Sequence, residues 1–159
     1  MFLVGFMIGC GLTGTSDDEQ VRIQTDRKQY HAEHDDEIRL IVLNQTSNNL
    51  FYSFCTQKWL EVLDDNRVIK SISVHQFICF CLCPVTIKPG IQNAYDQIRV
   101  SIDHIKLLAD TPEHEKYLSS RYTYRIKISL YREELFNEEL PDEMRRTNRF
   151  NLTGFNEYI

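Results

Sequence analysis

Apolar and polar residues alternate along much of this chain with the period of a strand. In residues 121–131, Tyr122, Tyr124, Ile126, Ile128 and Leu130 fall on one face and Arg121, Thr123, Arg125, Lys127 and Ser129 on the other. A period of two built from β-branched and aromatic residues predicts a half-buried strand. The same alternation predicts strands over Val21–Thr25, over Glu37–Asn44 with Ile38, Leu40 and Val42 on one face, and over 97–103 with Ile98, Val100 and Ile102 together. Residues 49–55, 58–63, 67–74 and 148–152 are shorter apolar or aromatic runs and read as strands as well. Turn-forming clusters separate them: Asn44-Gln-Thr-Ser-Asn-Asn49, Asp64-Asp-Asn66 and Lys88-Pro-Gly90. One or two helical turns are predicted after Thr111, where Pro112 suits the first helical position and Glu113 and Glu115 the positive helix end. A second helical or irregular stretch is predicted over 133–146, interrupted by Pro141.

About seven short strands without alternating helices predict an all-β domain, an antiparallel β-sandwich with one or two short helical segments in its loops. Residues 21–159 form one domain on this reading, long enough to bury a core. Several stretches carry a family resemblance: Val21-x-Ile-x-Thr-Asp-x-x-x-Tyr30, Ile38-Arg-Leu-Ile-Val-Leu-Asn44, Ile87-Lys-Pro-Gly90, Tyr124-Arg-Ile126 and Thr147-Asn-Arg-Phe150. In these the chain resembles small bacterial immunoglobulin-like lipoprotein domains and is similar to the BsuPI-type proteinase inhibitor domain. The resemblance implies an immunoglobulin-like fold, with proteinase inhibition as one possible activity. Tyr122 or Tyr124 is positioned to act as a tyrosine corner.

The leader has its own pattern. A short apolar run, Phe2-Leu-Val-Gly-Phe-Met-Ile-Gly-Cys10, gives way to Thr13-Gly-Thr-Ser-Asp-Asp-Glu-Gln20. The run is far shorter than the ~20 residues a spanning helix needs. An apolar run ending in small residues reads as an export signal. Met7-Ile8-Gly9-Cys10 resembles the lipobox of bacterial lipoprotein signal peptides. One feature departs from that pattern: the first basic residue is Arg22. The resemblance implies a signal peptide over 1–9, lipidation at Cys10 and a flexible tether over 10–20. It places the domain in the bacterial cell envelope, held at the membrane by lipid on its periplasmic or surface side.

Composition sharpens this. A formal net charge of −5 argues against a nucleic-acid partner, for which a basic stripe is expected. Beyond Cys10 the cysteines are Cys55, Cys79, Cys81 and Cys83, an even number, which in an exported protein suggests disulfides. Cys79, Cys81 and Cys83 share one face if extended, and neighbours two apart sit ~6.6–6.8 Å from each other, too far for an easy bridge. Cys55 is therefore a candidate to pair with one of the three. The alternative is a copper or zinc site built from Cys79, Cys81 and Cys83 with Cys55 or His75, since thiolates suit soft cations.

His31 and His34, with Asp35, Asp36 and Glu37, make a polar cluster where a divalent ion is conceivable, although a solvated turn accounts for it. The acidic run Glu133, Glu134, Glu138, Glu139, Asp142 and Glu143 reads as a solvated loop. Phe51, Tyr52, Phe54, Trp59 and Phe77 are too many aromatics to point inward together, so some should cover a sheet face or form a contact surface. No nucleophile elbow, phosphate loop or His-Glu-x-x-His motif is present. The expectation is a non-enzymatic, membrane-anchored binding module with a protein or envelope partner and no cofactor.

Overall fold

The computed structural model describes residues 20–74, 83–90 and 94–155. Among them are ten strands: β1 (Val21–Thr25), β2 (Gln29–His31), β3 (Glu37–Asn44), β4 (Leu50–Tyr52), β5 (Lys58–Asp64), β6 (Arg67–Ser73), β7 (Val85–Ile87), β8 (Tyr95–Ser101), β9 (Thr123–Ile128) and β10 (Phe150–Thr153). One helix, α1 (Ile102–Ala109), and two 3₁₀ turns, Glu115–Tyr117 and Asp142–Arg145, complete the regular structure. The chain is mostly β, as its alternation predicts.

The strands form three sheets, ordered β1-β3-β8, β2-β10-β9-β5-β6 and β4-β7. Alternation sets which faces are buried. Strand β3 runs intermediate-buried throughout, with Ile38, Leu40, Val42 and Asn44 inward. In β9, Tyr124, Ile126 and Ile128 are buried and the residues between them half-buried. One apolar cluster joins inward residues of all three sheets, including Leu40, Val42, Ile98, Leu50, Ile87, Leu60, Val62, Ile126 and Leu152.

Local chemistry fixes the connections. Asp65 and Asn66 both have positive φ (43° and 71°) between the paired residues Asp64 and Arg67. That is a two-residue hairpin whose twist matches its strands. Asn44 is fully buried and organises the next turn. Its Nδ2 donates to the carbonyls of Asn48 (2.8 Å) and Ile87 (3.0 Å), and its Oδ1 accepts from Thr46 N and Oγ1.

Three expectations need correction. The sheets are not purely antiparallel: β10 pairs with β2 in parallel, Leu152 opposite Tyr30 and Thr153 opposite His31. Strands β2 and β7, of three residues each, add to the expected set. The strand expected over 97–103 ends at Ser101 and a helix follows over Ile102–Ala109, where the Oγ of Ser101 accepts from His104 N at 3.3 Å. Ser101 is a preferred N-cap type, and Asp103 sits in the first turn, so the strand converts to helix at Ile102. The helical turn expected after Thr111 is present as the 3₁₀ stretch Glu115–Tyr117.

Candidate functional site

Two of the expected site residues, Cys55 and Cys83, fall at one end of the β4–β7 ribbon. These strands pair Leu50 with Ile87, Phe51 with Thr86 and Tyr52 with Val85. Cys55 lies three residues beyond Tyr52, and Cys83 two residues before Val85. Antiparallel pairing therefore brings both out of the same ribbon end. Cys55 is half-buried and its amide donates to Ser53 Oγ at 3.1 Å. Cys83 is exposed. Cys10, His75, Cys79 and Cys81 lie outside the described residues.

Aromatic residues surround this end. Tyr52 is fully buried, its ring 5.3 Å from that of Phe54 in an edge-on contact. Burial holds its phenol well above the ordinary tyrosine range. Phe54 is exposed, whereas Phe51 and Trp59 are half-buried; Phe77 lies outside the described residues. Lys58 is buried with its ammonium 5.9 Å from the Tyr52 ring centre, and desolvation lowers its pKa. The sequence reading did not single out Lys58. A lysine at the start of an apolar run was the available signal.

A second polar centre, also missed, lies on the outer face of the five-stranded sheet. Glu61 of β5 is buried. Its carboxylate accepts from Arg125 Nε and from Arg146 Nε and Nη2, the latter at 3.0 and 3.1 Å. Asp142 bridges Lys127 (3.0 Å) and Arg146 (3.0 Å) and also pairs with Arg145, which in turn meets Glu139. The Lys127 hydrogen bond holds the Asp142 carboxyl below its usual range. The acidic run is thus only partly a solvated loop: Glu139 and Asp142 lay it over the sheet. Two carboxylates engaged by four cations make a structural clamp, not an acid–base pair.

The histidine loop is a third centre. His31 closes β2, and its carbonyl accepts from the amides of His34 (3.1 Å) and Asp35 (2.9 Å). That turn folds His34 back, so the two imidazoles stack with centres 4.4 Å apart. Two of the carboxylates named with them, Asp35 and Glu37, are otherwise engaged. Asp35 accepts from the His31 amide (2.7 Å) and from Arg27 Nη1 (2.6 Å), contacts that depress its pKa. Glu37 pairs with Arg99. Glu33, which the sequence reading passed over, is the carboxylate beside the two rings.

Tyr124 settles which tyrosine makes a corner. Its hydroxyl accepts from Ser119 N at 2.9 Å, with the carbonyls of Ser119 (2.7 Å) and Tyr117 (3.1 Å) as acceptors for its proton. Among the described residues no helix is long and apolar enough to cross a membrane.

No family model matches the chain, and neither does any curated protein. It is similar to a solved structure described as a protein from Archaeoglobus fulgidus, at 14% identity and a TM-score of 0.31, over 82% of this chain and 94% of that one.

Proposed function

We propose that this chain is a lipid-anchored immunoglobulin-like β-sandwich that works outside the cytoplasm by binding a protein or envelope component. The Met7-Ile8-Gly9-Cys10 run carries the anchoring; an acyl chain on Cys10 would hold a tethered domain at the membrane.

The strand order supports the sandwich. The N-terminal segment divides between sheets: β1 pairs with β3, and β2 crosses to pair in parallel with the last strand, β10. The adjacency of β5, β9 and β10 in one sheet and of β3 and β8 in another supports the Greek-key arrangement of such domains. Tyr124 adds to this. It sits near the start of the penultimate strand and bonds to backbone a few residues upstream, as a tyrosine corner does.

Metabolic labelling with a fatty acid tests the anchor. Wild type should take the label and Cys10→Ala should not. Equal labelling of both, or none on wild type, overturns it.

A second reading starts from Cys55, which is disulfide-bonded. A disulfide staple is the structural use of the cysteines, and a copper or zinc site of Cys79, Cys81 and Cys83 with His75 the functional alternative. Thiol counting on denatured, unreduced protein separates them: blocked thiols support the staple, whereas reactive thiols with bound copper or zinc support the metal site.

A further inference from the structure

We propose that His31, Glu33 and His34 form a surface site for a zinc-type divalent cation, separate from the cysteines. One ligand atom from each of the three residues lies within 4.8 Å of the others. Two imidazoles and one carboxylate are a donor set that zinc accepts, with water completing a tetrahedron. The imidazole pair selects for zinc, nickel or copper over magnesium or calcium, which prefer oxygen alone.

The fold builds this convergence. The parallel pairing of His31 with Thr153 and the bond from Ala32 N to the Thr153 carbonyl (2.7 Å) fix the end of β2. The His31 ring then lies against Gly154. A Cβ at Gly154 would stand 2.5 Å from His31 Cε1, and the glycine has φ +81°. The chain thus leaves room for this ring where a side chain would displace it. The turn closed by the His31 carbonyl brings His34 onto the ring, and the Arg27–Asp35 pair braces the same turn. Glu33 is the carboxylate beside the two rings. It also lines a cleft of about 240 Å³ whose other walls include Asp110, Glu115 and Lys106.

Closure on a metal needs two adjustments. The Nδ1 of His31 accepts the Glu33 amide at 3.2 Å. A cation at Nε2 requires the proton on Nδ1, so that long bond is given up. The rings must also turn slightly out of their parallel stack, because metal–nitrogen distances are ~2.0–2.1 Å. His34 and Glu33 are exposed, so both can move without disturbing the core.

The test is a cobalt(II) titration of the full chain, read in the visible and near-ultraviolet. The expected result is one bound cobalt with a d–d spectrum and no thiolate charge-transfer band. His34→Ala and Glu33→Gln should each weaken binding by about tenfold or more. His104→Ala, on α1, should leave it unchanged. Both variants lie on the surface, and circular dichroism verifies that they fold. The proposal fails if wild type binds no cobalt, if the bound ion shows a thiolate band, or if His34→Ala and Glu33→Gln bind as wild type does. An equal loss in His104→Ala also overturns it. Thiolate binding alone would return the metal to the cysteines.

Discussion

Tyr124→Phe isolates the bonds of the tyrosine corner. The ring is fully buried and tilted against Phe150 at 6.1 Å, and phenylalanine keeps that packing. Only the hydroxyl is lost. With it go an acceptor for Ser119 N and a donor to the Ser119 or Tyr117 carbonyl. A buried group left without its partner costs about 1–3 kcal/mol, more than the net worth of the bond itself. Burial keeps the phenol protonated, with its pKa well above the ordinary range, so the loss is the same at any pH near neutral. Taking about 2 kcal/mol, the thermal midpoint should fall by about 4–8 °C for a domain of this size. With a urea m-value of about 2 kcal/mol per molar, the urea midpoint should fall by about 1 M. Equilibrium urea unfolding followed by fluorescence is the assay, with Tyr122→Phe as control, since Tyr122 is half-buried. The control should stay within about 0.5 kcal/mol of wild type. If the two variants shift the midpoint equally at unchanged m, the hydroxyl network contributes nothing particular and the reasoning fails.

Glu61→Gln should destabilise the domain by about 3 kcal/mol, because it leaves the Arg125 and Arg146 guanidiniums facing each other without a buried carboxylate; urea unfolding at wild-type stability would refute this. Asp142 titrates below its ordinary value of 3.8 in the folded state. It therefore adds stability that is complete above that value and lost as pH falls through the folded pKa. Asp142→Asn should make the acid limb of stability against pH shallower, and an unchanged limb from pH 5 downward counts against the Lys127 pairing. Gly154→Ala combines positive φ with a clash against the His31 ring and should cost about 1–3 kcal/mol; differential scanning calorimetry that finds it as stable as wild type would place the ring elsewhere.

The legible parts of the fold were those set by local pattern. Alternation gave the inward faces of β3 and β9 residue by residue, and Asp64-Asp-Asn66 gave its hairpin. Elements that depend on distant partners escaped. Strand β2 is three residues long and exists through its pairing with β10, more than a hundred residues away in sequence. No window around Gln29 carries that information. Helix α1 escaped for another reason. Ile102 continues the inward period of β8, so a period of two reads straight through the point where Ser101 caps α1. The serine cap was the available signal.

The sites obeyed the same division between near and far. His31 and His34 were found as a pair because a three-residue spacing survives in a tight turn. Adjacency in sequence says nothing of prior engagement: Asp35 and Glu37 face arginines, and the turn leaves Glu33 beside the rings. Glu61 makes the point more sharply. Inward residues of β5 are Lys58, Leu60 and Val62, so the period puts Glu61 on the outer face, where a charge needs no explanation. That face is covered by the segment carrying Asp142, Arg145 and Arg146, and Glu61 is buried all the same. A buried carboxylate persists only with cations to compensate it. The requirement explains why Arg125 lies opposite Glu61 on β9 and why Arg146 ends the loop that covers it. The charge-rich segment 133–146 is therefore held to the sheet by the residue it hides. Loss of Glu61 should loosen that segment before it unfolds the core, which hydrogen exchange at 139–146 would detect as protection lost there first.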